Sequence, residues 1–150
     1  MIVELKENIN LLGSIIANVN NLLLISIFIA RIYHYHKIEH VLGIVFIVSI
    51  LPLMWMFLKA IEMSRPFMYF LQLGLMISFI IAELILDYIL KLEFRQNRSI
   101  VIPYVMLFYA SFGGMIGIAG ERGKHWMIIT IITFLVMVSV SFLMYFRTGT

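Results

Sequence analysis

FMYFLQLGLMISFIIAELILDYIL, residues 67–90, holds two carboxylates, Glu83 and Asp87, and no other charge. The run follows Ser-Arg-Pro and stops at Lys91. About 20 apolar residues are what a helix rising 1.5 Å per residue needs to cross ~30 Å of hydrocarbon, so this stretch is a membrane span. Inside lipid the backbone must satisfy its own polar groups, which makes the span helical.

Three further runs have the same form: Val41–Leu58, Ile100–Ala119 and Trp126–Phe146. Each is bounded by charge, after HYHKIEH, EFRQNRS and ERGKH respectively. A fifth run, Leu11–Ala30, contains Asn18, Asn20 and Asn21. On a helical wheel Glu7, Asn10, Ser14, Asn18 and Asn21 share an arc of ~80°. Two arrangements fit that stripe: a spanning helix with its amides turned inward, or an amphipathic helix in the headgroup plane. The unbroken LLLISIFIA that ends the run favours spanning. The fold expected is therefore an all-α, polytopic membrane bundle of four spans plus this fifth. It forms one domain over residues 1–150, with no extramembrane domain.

Composition agrees. The chain is 63% hydrophobic and 13% charged over 150 residues, whereas soluble domains are nearer half apolar and a quarter charged. A core this small cannot hide the surplus. With no cysteine, disulfides, thiolate metal sites and cysteine nucleophiles are excluded. The net charge of +3 is spread over loop lysines and arginines, so nucleic acid is not an expected partner. MIVELKENIN carries no cleavage signature, and no removable signal peptide is expected.

Local signals set the helix ends. Ser64 is placed to cap the helix that has Pro66 in its first turn, and Ser99 to cap the next. Pro52 lies inside a span and should kink it. Tyr33, Tyr35, Trp55, Tyr69, Tyr104, Trp126 and Tyr145 fall near run ends, where an interfacial belt is expected. Loops are short, so consecutive helices should be antiparallel neighbours.

The two carboxylates differ in depth. With Lys91 as the boundary, Asp87 lies ~6 Å inside and Glu83 ~12 Å inside. Asp87 can stay hydrated and precedes Lys91 by four, the favourable order for a helical ion pair. Glu83 has no such excuse, since a charge near a helix centre costs ~2.5–3.5 kcal/mol on insertion scales. Tyr69, Gln72, Met76, Glu83 and Asp87 share ~60° of the wheel, and that stripe should face the bundle. Three roles are open to Glu83: polar glue between helices, an ion or proton pathway, or catalysis. The pathway candidates are Glu83, Asp87, Gln72, Asn18 and Asn21.

ASFGGMIGIAG, residues 110–120, places Ala110, Gly113, Gly114 and Gly117 within ~100° of one another. Such a face lets two backbones approach closely, within the chain or against a second copy. HYHKIEH spaces His36 and His40 four apart, yet it borders the headgroups, and solvated histidines are expected rather than a metal site. EMSRP and ERGK mix acid and base as interfacial anchors do, or as a site for anionic headgroups would. No Ser–His–Asp set, HExxH or Walker pattern is present, and no cofactor is expected.

The first expectation is thus a small multi-pass protein that works by helix association, as a subunit or structural partner or as a homo-oligomer. The alternatives are an ion- or proton-coupled carrier or channel built on Glu83, and a membrane enzyme acting on lipid near Arg95, Arg98 or Arg122. The cell membrane is the expected location. With five spans the lysine and arginine counts tie at six against five, and with a first helix that does not cross they become seven against four, which leans toward the Arg95/Arg98 loop being cytoplasmic.

Overall fold

The computed structural model describes residues 2–90 and 97–148. Its described residues form helices and their connections, with no strand. Helix α1 runs Ile2–Ile32, α2 His36–Val48, α3 Ile50–Glu62, α4 Phe67–Glu83, α5 Arg98–Gly120 and α6 Lys124–Thr148. The segment α2–α3 makes one span, and α4 passes directly into a π-helical turn, Leu84–Ile89. Five helical stretches are long and apolar enough to cross a membrane, so the chain is an all-α, multi-pass helical bundle.

The first run is the best buried of the five. At 31 residues α1 is about 46 Å long, and it packs along α6, α5 and α2. Its contacts with the C-terminal part of the chain keep a constant offset. Asn10 reaches Glu121, Asn18 reaches Thr130, Asn21 reaches Thr133 and Arg31 reaches Met144, separations of 111, 112, 112 and 113 residues. A constant difference means that α1 and α6 run parallel. In α4 and α5 it is the sum of residue numbers that stays nearly constant, with Glu83 against Tyr104 and Gln72 against Gly117. That pair is antiparallel.

Several local expectations change. Asn97, not Ser99, caps α5, its side chain accepting from the Ser99 N–H at 3.0 Å. Pro66 is itself the N-cap of α4, and Ser64 sits in the preceding turn at φ +50°. Pro52 acts one turn upstream: α2 ends at Val48, the residue whose carbonyl a proline at 52 leaves without its usual donor. Ser49 separates the two pieces and turns its hydroxyl onto the Phe46 carbonyl at 2.5 Å. Of the expected aromatic belt, Tyr33, Tyr35, Trp55 and Tyr145 are exposed, but Tyr69 is 2% exposed and Tyr104 turns toward α4. Lys91 and Arg95 lie outside the described residues.

The core is aromatic at its centre. Phe46 of α2, Phe79 of α4 and Phe108 and Phe112 of α5 are all buried, with ring centroids 5.0–6.1 Å apart. Phe28 of α1 joins them at 6.0 Å from Phe108. Tilted and edge-on ring pairs add ~0.5–1.5 kcal/mol each beyond area burial. The cluster divides the bundle into two halves with different packing.

Candidate functional site

Helix α5 sets the difference between the halves. Its N-terminal half carries Tyr104, Phe108, Tyr109 and Phe112, and its C-terminal half carries Gly113, Gly114, Gly117 and Gly120. The helix is a wedge. Its wide part lines a cavity, and its narrow part lies against Gln72 of α4.

In the wide half lies a cavity of about 570 Å³. Its floor is Leu24, Ile27, Phe28, Phe46 and Phe108, and its upper wall carries Arg31, Glu39, His40, Glu83, Asp87 and Tyr88. Helices α1, α2, α5 and α6 and the α4 π-turn all contribute. The volume falls within the range of sites for small organic ligands, ~300–1,000 Å³.

Glu83 ends α4 at the cavity wall and is half-buried. The Tyr104 hydroxyl of α5 donates to its Oε1. The deep acid therefore has both a tyrosine partner and an adjacent open volume. The cost of placing a carboxyl this far from the boundary is offset by that donor and by the polar cavity.

The π-turn arranges the next residues. Leu90 N–H bonds the Ile85 carbonyl, five residues back, at 2.8 Å. In this register residues five apart stack, so Tyr88 follows Glu83 on the cavity side, which an α-helix would give to Asp87 alone. Both Asp87 and Tyr88 line the cavity. The Tyr88 ring crosses to α2, its hydroxyl donating to the His40 carbonyl at 3.3 Å and its ring 5.2 Å from the His40 imidazole. Gly43 permits this, because a Cβ there would overlap the Tyr88 hydroxyl. Sequence reasoning missed Tyr88 for a stated reason: it assumed 100° per residue through a segment that departs from it.

Arg31 is the cation of the described lining. Its Nε donates to Glu39 Oε1 at 2.7 Å and its Nη1 to Met144 Sδ at 3.6 Å. His36 Nδ1 is 3.8 Å from Glu39 Oε2. Among the described residues no three His, Asp or Glu side chains come together as a metal site would require. Tyr109 of α5 and Ser141 of α6, both in the cavity lining, are hydrogen-bonded to each other at 3.2 Å.

The other pathway candidates lie elsewhere. Gln72 rests on the α5 glycines, its Cα 3.5 Å from where a Gly114 Cβ would stand, and a Gly117 Cβ would overlap its amide. Asn18 and Asn21 join α1 to α6. Asn18 Nδ2 donates to Thr130 Oγ1 at 2.9 Å, Thr133 Oγ1 donates to Asn18 Oδ1 at 3.0 Å, and Asn21 Nδ2 donates to Thr133 Oγ1 at 2.8 Å. None of these three lines the cavity. Asn20 was not singled out from the sequence, yet it is 1% exposed and its amide has no hydrogen-bond partner among the described residues.

The narrow half is sealed by charge. Arg65, with its side chain 6% exposed, has its Nη2 3.4 Å from Glu121 Oε2 and donates from it to Asn10 Oδ1 at 3.2 Å. Its guanidinium stands 4.2 Å over the Tyr69 ring, and Asn10 Nδ2 donates to the Glu121 carbonyl at 3.2 Å. EMSRP and ERGK thus meet each other, and Arg65 is a buried lock instead of an interfacial anchor. Of the small residues on α5, Gly114 and Gly117 pack within the chain, Ala110 is exposed, and a Gly113 Cβ would meet nothing within 4 Å. No family model, curated protein or solved structure matches the chain.

Proposed function

We propose that this protein is a small carrier, which binds an amphipathic solute in the cavity and uses Glu83 as its ion- or proton-linked group. The observation that carries this reading is the Glu83 carboxyl, held by Tyr104 at the wall of a 570 Å³ cavity that lies on one side of the aromatic cluster. Access from one side with a sealed opposite end is what a carrier needs in one of its two states. Gly114 and Gly117 are engaged by Gln72 inside the chain, which removes two of the four residues that pointed to association.

We assign the carrier to the cell membrane with the cavity mouth facing the cytoplasm. Six lysines and arginines lie on that side (Arg31, Lys37, Lys91, Arg95, Arg98, Arg147) and five on the other (Lys6, Lys59, Arg65, Arg122, Lys124). The test is reconstitution in liposomes with a panel of amphipathic solutes. Glu83→Gln is expected to abolish solute-dependent flux and leave helical content and monodispersity unchanged. Flux equal to wild type in that variant overturns the reading.

A second reading, association with another membrane helix, is favoured by Ala110 and Gly113, which keep a smooth, uncovered strip on α5. Ala110→Leu would then shift the species distribution in mild detergent. An unchanged distribution counts against a helix partner at that strip.

A further inference from the structure

We propose that α1 and α2 form one moving body hinged at Ser49, and that the buried Asn20 amide is the group that favours its moved state. The inference rests on the carrier reading for its purpose, adding the moving part, but its test needs no solute.

The first four helices fall into two hairpins joined inside a span. α1 and α2 are tied by the three-residue turn 33–35 and by Arg31 on Glu39 at 2.7 Å. α3 and α4 are joined by the turn 63–66, with the Phe57 and Phe70 rings edge to face at 5.2 Å. The two halves of the shared span face different things. α2 lines the cavity with His36, Glu39, His40, Gly43 and Phe46, and α3 contributes no residue to the described lining. α2 buries Phe46, whereas α3 buries Leu53, Met56 and Ala60. The joint between them is Ser49, three residues before Pro52. Breaks of this kind are where membrane helices bend, and hinges sit at the ends of elements. From Ser49 to His36 is ~20 Å of helix, so a turn of ~15° displaces the far cavity wall by ~5 Å.

Asn20 stands at that joint. Gly13, Asn20 and Arg31 lie within ~20° of one another on α1. A Cβ on Gly13 would meet Met56 of α3, and Arg31 meets Glu39 of α2. In both pairs the residue numbers add to nearly the same total. The α2–α3 span therefore runs antiparallel to α1 in one register, and Asn20 falls level with Ser49 and Ile50. Asn20 is 1% exposed, and neither polar atom of its amide has a partner among the described residues.

The groups level with it complement an amide. The Val48 carbonyl has lost its usual donor to Pro52. The Ser49 hydroxyl bonds the Phe46 carbonyl, which the Ser49 N–H already reaches at 3.1 Å. A rotation at Ser49 lets Asn20 donate to the Val48 carbonyl and accept from the Ser49 hydroxyl, with the Phe46 carbonyl still satisfied. An amide buried without a partner is costly. The described conformation carries that cost and the moved one relieves it, which keeps the two close in free energy, as a moving part requires.

The chain has no cysteine, so cysteine pairs carry nitroxide labels without background. Ile38→Cys with Ile89→Cys spans the cavity end between the hairpins, and Leu58→Cys with Phe67→Cys stays within the second. All four positions are exposed. Pulsed electron spin resonance on the full chain in nanodiscs should give two distances ~5 Å apart for the first pair and one for the second. Asn20→Leu should deplete the second population by ~5-fold or more, because it removes the group that the moved state satisfies. Pro52→Ala, which returns a donor to Val48, should deplete it likewise. A single distance for the first pair in the otherwise unchanged chain overturns the proposal, and so does a second population that both substitutions leave intact. If Asn20→Leu does not fold, Pro52→Ala decides by the same criterion. Solute flux with one fixed distance sinks the hinge and leaves the carrier standing. Two populations without flux for any solute leave the hinge and sink the carrier.

Discussion

The two ends of the bundle use similar residues to opposite effect. At one end Arg31, Glu39, Glu83 and Tyr104 surround an open volume of about 570 Å³. At the other Arg65, Glu121, Asn10 and Tyr69 fill the space between three helix ends, and the arginine is 6% exposed. Each end has an arginine bonded to a glutamate. What differs is the size of the side chains that α5 presents at each end. Glycines 13, 114 and 117 let α1, α3, α4 and α5 close on the sealed side, a Gly13 Cβ falling 2.8 Å from Ile118 and 2.9 Å from Met56. On the other side, Tyr104, Phe108 and Tyr109 of α5 line the open volume. Side-chain volume along one helix decides which end of a bundle is a lock and which is a site.

The comparison breaks most visibly at Arg65. Arg65→Ala removes the cation between Glu121 and Asn10 and should cost ~2–3 kcal/mol. Burying one partner of a pair alone is expensive, and the half-exposed Glu121 moderates the loss. Arg31→Ala should cost less, ~1–2 kcal/mol, because the Arg31 side chain is 19% exposed where that of Arg65 is 6%. Chemical unfolding in mixed micelles reads both values, and equal losses would mean that the ends are not different in kind.

Glycine substitutions sharpen the same contrast. Gly117→Leu forces the Gln72 amide off α5 and should destabilise by ~2 kcal/mol. Gly113→Leu, facing open space, should change stability by less than ~0.5 kcal/mol. Thermal unfolding of the pair tests whether the narrow half depends on close approach. At the cavity end, Gly43→Val should displace the Tyr88 ring from His40, weakening ligand affinity ~3–10-fold with little change in unfolding. A large stability loss there would show that Tyr88 holds the fold together instead of shaping the site.

At Asn20 the expected change is a gain in stability. Asn20→Leu replaces a buried amide by an apolar group of similar size and should raise stability by up to ~1 kcal/mol. If the amide serves the carrier, flux falls as stability rises. Unchanged flux together with raised stability would mark Asn20 as a packing defect only.

Much of this was legible from residue order, in uneven measure. Span length and bounding charge located all five membrane helices, and the wheel put Tyr69, Gln72, Met76 and Glu83 on one inward face. The α1 amides also turned inward, but what they touch was not readable: Thr130 and Thr133 lie more than 100 residues away, and no local rule links such distant positions. Gln72 shared a stripe with Glu83 and yet serves a different purpose, because only one of the two stands opposite the glycine half of α5. The meeting of Arg65 with Glu121 was likewise hidden, since each loop by itself looks like an ordinary charged boundary.

The sequence by itself determined the solvent, four of the five spans and the inward turn of the deep acid. These follow from hydrocarbon's refusal of charge and of unpaired backbone, which acts on each segment independently. Tertiary structure alone decided the parallel pairing of the first and last helices, the π-turn that brings Tyr88 beside Glu83, and the wedge that opens one end and locks the other. Those depend on how side-chain volumes from different helices fit together, a property of pairs and triples of segments that no single segment carries.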